Sequence, residues 1–356
     1  MKKVLYFTKY TSLGASSRLR SLQFIPFLKK HGYQVDSSPL FHDKYLLALY
    51  NKKKSKNFYL IQGYLKRFFR LFTIYKYDII VIEKELFPYL PSWFEQLFKK
   101  LNIKYIVDYD DAIFHNYDLN NKKIIRKLLS KKIDNVMKAS DCVFAGNSYL
   151  AKRAKSAGAK KVVILPTVIN TDNYYKIEKV TTNEKFILGW IGSPSTYKYV
   201  EKLIPVFTEL KRNYPNFFVS IIGAKQNEET LDDFIKYIPW SEKTEIIEIN
   251  KFSLGIMPLN ETPWELGKCS YKLIQYMGCS IAVLASPVGM NNDVVIPGFN
   301  GNFVYANDWY SAIEKYINDI NSTIEQGENG RKLIESTYNL EHNLKLIIEN
   351  FENEAI

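Results

Sequence analysis

The sequence predicts an α/β protein built from two Rossmann-like, doubly wound domains, and three observations carry that prediction. Short runs rich in Ile, Val, Leu and Phe, among them VLYF, DIIVI, YIVDY, CVFA, FILGWI, FFVSII, LGIMPL and IAVLA, alternate with longer helical stretches, as parallel βαβ units require. Polar residues without periodicity separate these runs into two groups around 173–184. At 356 residues the chain is long enough for about two domains, each with its own core. The division is therefore a first domain 1–172, a linker 173–184, a second domain 185–335 and a terminal helix 336–356.

Composition narrows the classes. No apolar run approaches the roughly eighteen residues of a membrane span, and the start MKKVLYFTKYTS lacks the apolar core and cleavage site of a signal peptide, so a cytoplasmic chain is expected. Cys142, Cys269 and Cys279 are too scattered for disulfides or a zinc cluster, and the four histidines lack metal-ligand spacing. Neither a metal nor a cofactor is expected. Charge is uneven: residues 1–180 hold 34 Lys and Arg against 14 Asp and Glu, net +20, and the remainder is net −8. The first half is thus expected to meet something anionic.

That half opens with the strand KKVLYFTKY, the turn Ser12–Ser17 and a helix SRLRSLQFIPFLKK that can kink at Pro26 and stops at Gly32. Gly14 allows close approach at the turn and Arg18 lies in the first helical turn, although such turns also cap helices with no ligand nearby. Read as a helix from about Leu60, the next stretch sets Leu65, Phe68, Phe69 and Phe72 against Lys66, Arg67, Arg70 and Lys76. A basic, aromatic helix of this kind suits the interface of an anionic membrane; packing on the sheet with lysines reaching water is the alternative. Nucleic acid is disfavoured, because no recognition motif accompanies the pattern.

The strand YIVDY ends in Asp108, Asp110 and Asp111, carboxylates able to accept hydrogen bonds from hydroxyls or take a proton, or else to cap and meet solvent. Lys122 to Lys138 reads as one helix.

In the second half, FILGWI leads into Gly192, Ser193, Ser195, Thr196 and Lys198 before a helix, an arrangement suited to phosphate. Gly255–Asn291 reads as strand, turn, helix, strand. Lys268, Lys272 and Gln275 recur there at steps of four and three, sharing one helical face, while Leu273, Tyr276 and Met277 line another. With Gly267, Cys269 and Ser270 at its start, that helix would offer ammonium groups and unpaired amides to a diphosphate; a solvated lysine face is the plainer reading.

The phrases GIMPL, Trp264, Gly267-Lys268, Lys272, QYM and SPVG, with YDDA and PTVIN earlier, resemble the GT-B glycosyltransferases of family 4 (group 1), in the branch that assembles polysaccharides. The resemblance implies two domains facing a cleft and a last helix crossing back to the first. It implies a nucleotide-sugar donor on the second domain, a glycan or lipid-linked acceptor on the first, transfer with retention, and no metal. The chain would work as a peripheral protein on the inner face of the plasma membrane. The family's glutamate pair is altered: Gln275 stands at the second place and Glu265 is the nearest acid to the first, which points Glu265 at the sugar and Gln275 at the ribose. Ser193 stands where an Arg is usual, leaving Lys198, Lys268 and Lys272 for the phosphates. Gly223, Ile238 and Trp240 take the places that frame the base, and Asp110 and Asp111 those on the acceptor side. Two rivals stand: another GT-B enzyme, an epimerase or phosphorylase, and a non-catalytic binder.

Overall fold

The computed structural model describes residues 1–51, 53–177, 185–224 and 233–354. Most of the expected linker, 178–184, lies outside the described residues. The chain divides into two compact units: Met1–Thr167 with Leu266–Cys269 and Leu340–Ile356, and Val168–Glu265 with Ser270–Asn339.

In the first unit six parallel strands, β1 (Lys3–Phe7), β2 (Gln34–Ser37), β3 (Ile79–Glu83), β4 (Tyr105–Tyr109), β5 (Cys142–Ala145) and β6 (Val162–Ile164), lie in the order β2-β1-β3-β4-β5-β6. In the second, β7 (Phe186–Ile191), β8 (Phe217–Ile222), β9 (Ile235–Ile238), β10 (Leu254–Met257), β11 (Ala282–Ala285) and β12 (Gly301–Phe303) lie in the order β12-β11-β10-β7-β8-β9. Every residue of β3, β4, β5, β10 and β11 is buried, which is why these strands read as unbroken apolar runs: a parallel sheet is covered on both faces. Both orders reverse direction once, between β1 and β3 and between β7 and β10, and ligands of open parallel sheets bind beyond the carboxyl ends of the strands at such points.

Helices depart from the sequence reading in two places. The first helical stretch breaks into Ala15–Arg20, a 3-10 turn Leu22–Phe24 and Ile25–Lys30, with Pro26 accommodated in the opening turn of the last piece. The single helix expected over Lys122–Lys138 is two, Lys123–Leu129 and Lys132–Ala139; Lys132 turns its ammonium inward to Glu85 and to the Phe87 carbonyl oxygen at 2.6 Å. In the helix Lys56–Leu71 the structure decides which face is buried. Arg67, grouped by periodicity with Lys66 and Arg70, is buried and donates to the carbonyl oxygens of Thr8 at 2.6 Å and Ser38 at 2.9 Å, with its guanidinium over the Phe7 ring, while Leu65, Phe68, Phe69 and Phe72 are exposed.

Candidate active site

Each unit gathers polar chemistry at its own reversal point. In the first, Glu83 ends β3, buried, and accepts from the Ser17 hydroxyl at 2.6 Å and the Lys9 amide at 2.9 Å. The Ser16 hydroxyl stands between Asp110 at 2.6 Å and Glu83 at 3.1 Å. Lys84 follows with φ 69°, a left-handed conformation costly for a residue with a side chain, and places its ammonium 2.9 Å from Asp110. Arg20 holds Asp108 through two nitrogens and donates to the Leu165 carbonyl oxygen at 2.6 Å. Lys268 lies 3.5 Å from Asp111. The three aspartates of the acidic run therefore each have their own cation, so the run is a set of ion pairs. Serines 16 and 17, Arg20, Glu83 and Lys84 carry much of this arrangement. Sequence reading weighed the serine turn only as a cap or a close approach, since the meeting of these residues depends on strand order.

These partners separate Asp110 from Asp111. Burial pushes the Asp110 carboxyl up, but Lys84, Arg20 and the Ser16 hydroxyl outweigh it and hold it well below the usual carboxylate range. For Asp111 burial prevails over Lys268 and Lys84, leaving its pKa raised. Asp111 is thus the better proton acceptor and Asp110 a fixed charge. The sign of the Asp110 shift has a consequence for stability. A depressed folded pKa contributes stability that is complete above the unfolded value of about 3.9 and is lost as pH falls toward the folded value, at about 1.4 kcal/mol per pH unit. Urea unfolding from about pH 5 to about pH 2 is expected to show a steeper loss in the wild type than in Lys84→Met, where only Arg20 and the Ser16 hydroxyl are left to oppose burial at Asp110. Equal slopes would contradict the assignment.

The segment 266–269 packs with the first unit. The Asn147 amide donates to the carbonyl oxygens of Leu266 at 3.2 Å and Lys268 at 2.9 Å, and the buried Cys269 thiol lies 3.1 Å from the Asp110 carbonyl oxygen. A Cβ at Gly267 would stand 2.4 Å from that of Ala112, so close packing is itself a reason for this glycine. The shared helical face of Lys268, Lys272 and Gln275 is corrected. Ser270 has φ 49°, the helix begins only at Tyr271, and Lys268 precedes it. Gln275 is buried, its amide donating to the Tyr174 hydroxyl at 2.9 Å. Elsewhere in this unit Gly14 is buried against Tyr10, and Arg18 folds back to donate to the Ser12 carbonyl oxygen at 2.9 Å.

In the second unit, Gly192 follows β7 with its amide on the Ile222 carbonyl oxygen at 3.0 Å. A Cβ there would meet the Trp190 ring at 2.4 Å and Lys272 Cε at 2.9 Å, so the ring requires a glycine here and the lysine arm passes close beside it. Lys272 Nζ is 5.6 Å from the Trp190 ring centroid. The turn itself is pinned by the Thr196 hydroxyl donating to the Ser193 carbonyl oxygen at 3.0 Å, and the Lys198 side chain is exposed beside Tyr199. Ser270 donates to Asn291 at 2.8 Å. Glu265 is buried and accepts from the hydroxyls of Tyr199 and Thr262, one on each oxygen. At the neighbouring strand ends the Gly223 amide donates to the Ile238 carbonyl oxygen at 2.8 Å. Trp240 donates through Nε1 to Glu245 at 2.6 Å, and Glu245 also accepts from Tyr174 at 2.8 Å. Gln275 and Trp240, expected at separate ligand groups, are thus joined through Tyr174 and Glu245.

Residues 170–340 match the family described as glycosyl transferases group 1. An uncharacterised glycosyltransferase of Methanocaldococcus jannaschii is 24% identical over 80% of this chain and 78% of its own. The capsular polysaccharide biosynthesis glycosyltransferase CapM of Staphylococcus aureus is 23% identical over 47% of this chain and 45% of its own. Among solved structures, sucrose-phosphate synthase from Thermosynechococcus elongatus superposes with a TM-score of 0.75 at 15% identity, over 99% of both chains. The Anabaena protein HepE in complex with UDP and glucose gives 0.70 at 12%, over 99% of this chain and 100% of that one.

Proposed function

We propose that the chain, whose residues 170–340 match the group 1 glycosyltransferases, is a member of that family on a GT-B fold and, as a family 4 enzyme, moves a sugar from a nucleotide sugar to a glycan or lipid-linked acceptor in cell-surface polysaccharide synthesis. In this reading transfer retains the anomeric configuration and uses no metal, and the chain works in the cytoplasm at the inner face of the plasma membrane. The observation that carries the donor assignment is Lys272, threaded past Gly192 at the β7/β10 reversal. There its ammonium and the opening amides of the Tyr271–Gly278 helix would receive the diphosphate, with Ser193 and Thr196 on the adjoining turn.

Glu265 is assigned to a sugar hydroxyl. Tyr199 and Thr262 fix its orientation. Asp111 is assigned to orient the acceptor hydroxyl, with Asp110 and Lys84 as its charged support. The ion pairing of each aspartate supports transfer without a metal, since an ammonium or guanidinium already stands at each carboxylate. Leaving-group stabilisation and acceptor orientation are then the two tasks of the protein. A panel of UDP-, GDP-, CDP- and ADP-sugars incubated with the wild-type chain and excess EDTA tests this. Nucleotide release from one of them, dependent on acceptor, is expected; release from none, or equal release without acceptor, would overturn it.

A further inference from the structure

The helix Lys56–Leu71 is packed inside out. Its inner side is small and polar: a Cβ on Gly63 would stand 2.2 Å from the Leu40 carbonyl oxygen, and Arg67 is buried on backbone carbonyls. Outward, Phe58, Ile61, Leu65, Phe68, Phe69 and Phe72 fall on one side at helical spacing and are 65%, 59%, 54%, 38%, 65% and 65% exposed. The stripe continues through Phe68, which meets Phe94 edge-on at 6.1 Å; Trp93, next to Phe94 in sequence, is 64% exposed. An apolar surface this continuous marks an interaction site.

Its surroundings say what covers it. From Lys44 to Tyr77 the sequence holds nine Lys and Arg and no Asp or Glu, and Lys53, Lys54, Lys56, Lys66 and Lys76 are exposed. On the flank of the same helix, Tyr59, Gln62 and Lys66 open onto a hollow of about 430 Å³ with Lys44 on its lining. Phenylalanine and tryptophan bordered by lysine suit the boundary between headgroups and acyl chains of an anionic leaflet, where apolar burial and charge attraction add. No helix among the described residues is long and apolar enough to cross a membrane, so the stripe would lie in the plane of the interface. We propose that the outer face of Lys56–Leu71, with Trp93, is a docking surface for an anionic bilayer; this rests on the reading that the chain works at a membrane.

Sedimentation of the full chain with vesicles of phosphatidylcholine and phosphatidylglycerol in equal parts tests the proposal. The wild type is expected to partition strongly, and to weaken at least about tenfold with added salt or on pure phosphatidylcholine. Phe69→Asp with Phe72→Asp, both exposed and outside the candidate active site, is expected to lower partition at least about tenfold while circular dichroism and nucleotide release stay unchanged. A wild type that remains in solution overturns the proposal. Wild-type binding with an equally bound double variant overturns this face while leaving the membrane reading intact. A double variant that alters only oligomeric mass shows a protein interface and overturns it as well. Vesicle binding without sugar transfer leaves the docking surface standing and removes the enzymatic reading instead.

Discussion

Replacing Lys272 with alanine is expected to lower sugar transfer by about a hundredfold or more, the usual loss when one preorganised charge at a leaving group is removed. Lys272 lies in the opening turn of the Tyr271–Gly278 helix with its arm beside Trp190 and the Gly192 turn, where in the proposed reading a developing diphosphate charge would also meet backbone amides. The contrast with Lys198 is the control. That side chain is exposed and rests against Tyr199, so Lys198→Ala is expected to cost about tenfold or less. Steady-state nucleotide release with saturating acceptor checks both, with thermal unfolding to show that neither change disrupts the fold. Equal losses at the two lysines would contradict the assignment of the phosphate site.

Arg20→Ala is expected to destabilise the first unit by about 3 to 5 kcal/mol. Burial opposes the charge on Arg20, but Asp108 outweighs it and holds the guanidinium above its ordinary pKa. Alanine would leave Asp108, also buried, without its counter-charge, and the Leu165 carbonyl oxygen without its donor. Urea unfolding of the single variant measures the loss. Arg20→Met with Asp108→Leu removes both charges and is expected to recover most of it, because replacing a whole buried pair by apolar groups is often near neutral. A single-variant loss below about 1 kcal/mol, the scale of an exposed pair, would contradict the account.

The strands were legible because a sheet covered on both faces demands apolar runs, and β3 and β10 read that way before any pairing is known. Strand order was not, since which strand lies beside β1 or β7 depends on contacts distant in sequence. The grouping of Ser16, Ser17, Glu83, Lys84 and Asp110 follows from that order and was hidden with it. Lys272 was legible from its place after Gly267. Its separation from Lys268 was not, because the left-handed Ser270 that ends the shared periodicity carries no glycine to announce it. Periodicity likewise gave the helix at Lys56–Leu71 two faces without saying which is buried; Gly63 decides it by close approach to the Leu40 carbonyl oxygen, and Arg67 by donating to those of Thr8 and Ser38.

The central claim is retaining transfer from a nucleotide sugar without a metal. The most direct test is to follow the first product of the wild-type chain by proton NMR, with the nucleotide sugar that turns over and EDTA in excess. The coupling at the anomeric proton is expected to match the configuration of the donor, at a rate unchanged by the chelator. An inverted product, or turnover that EDTA abolishes and a divalent cation restores, would contradict it.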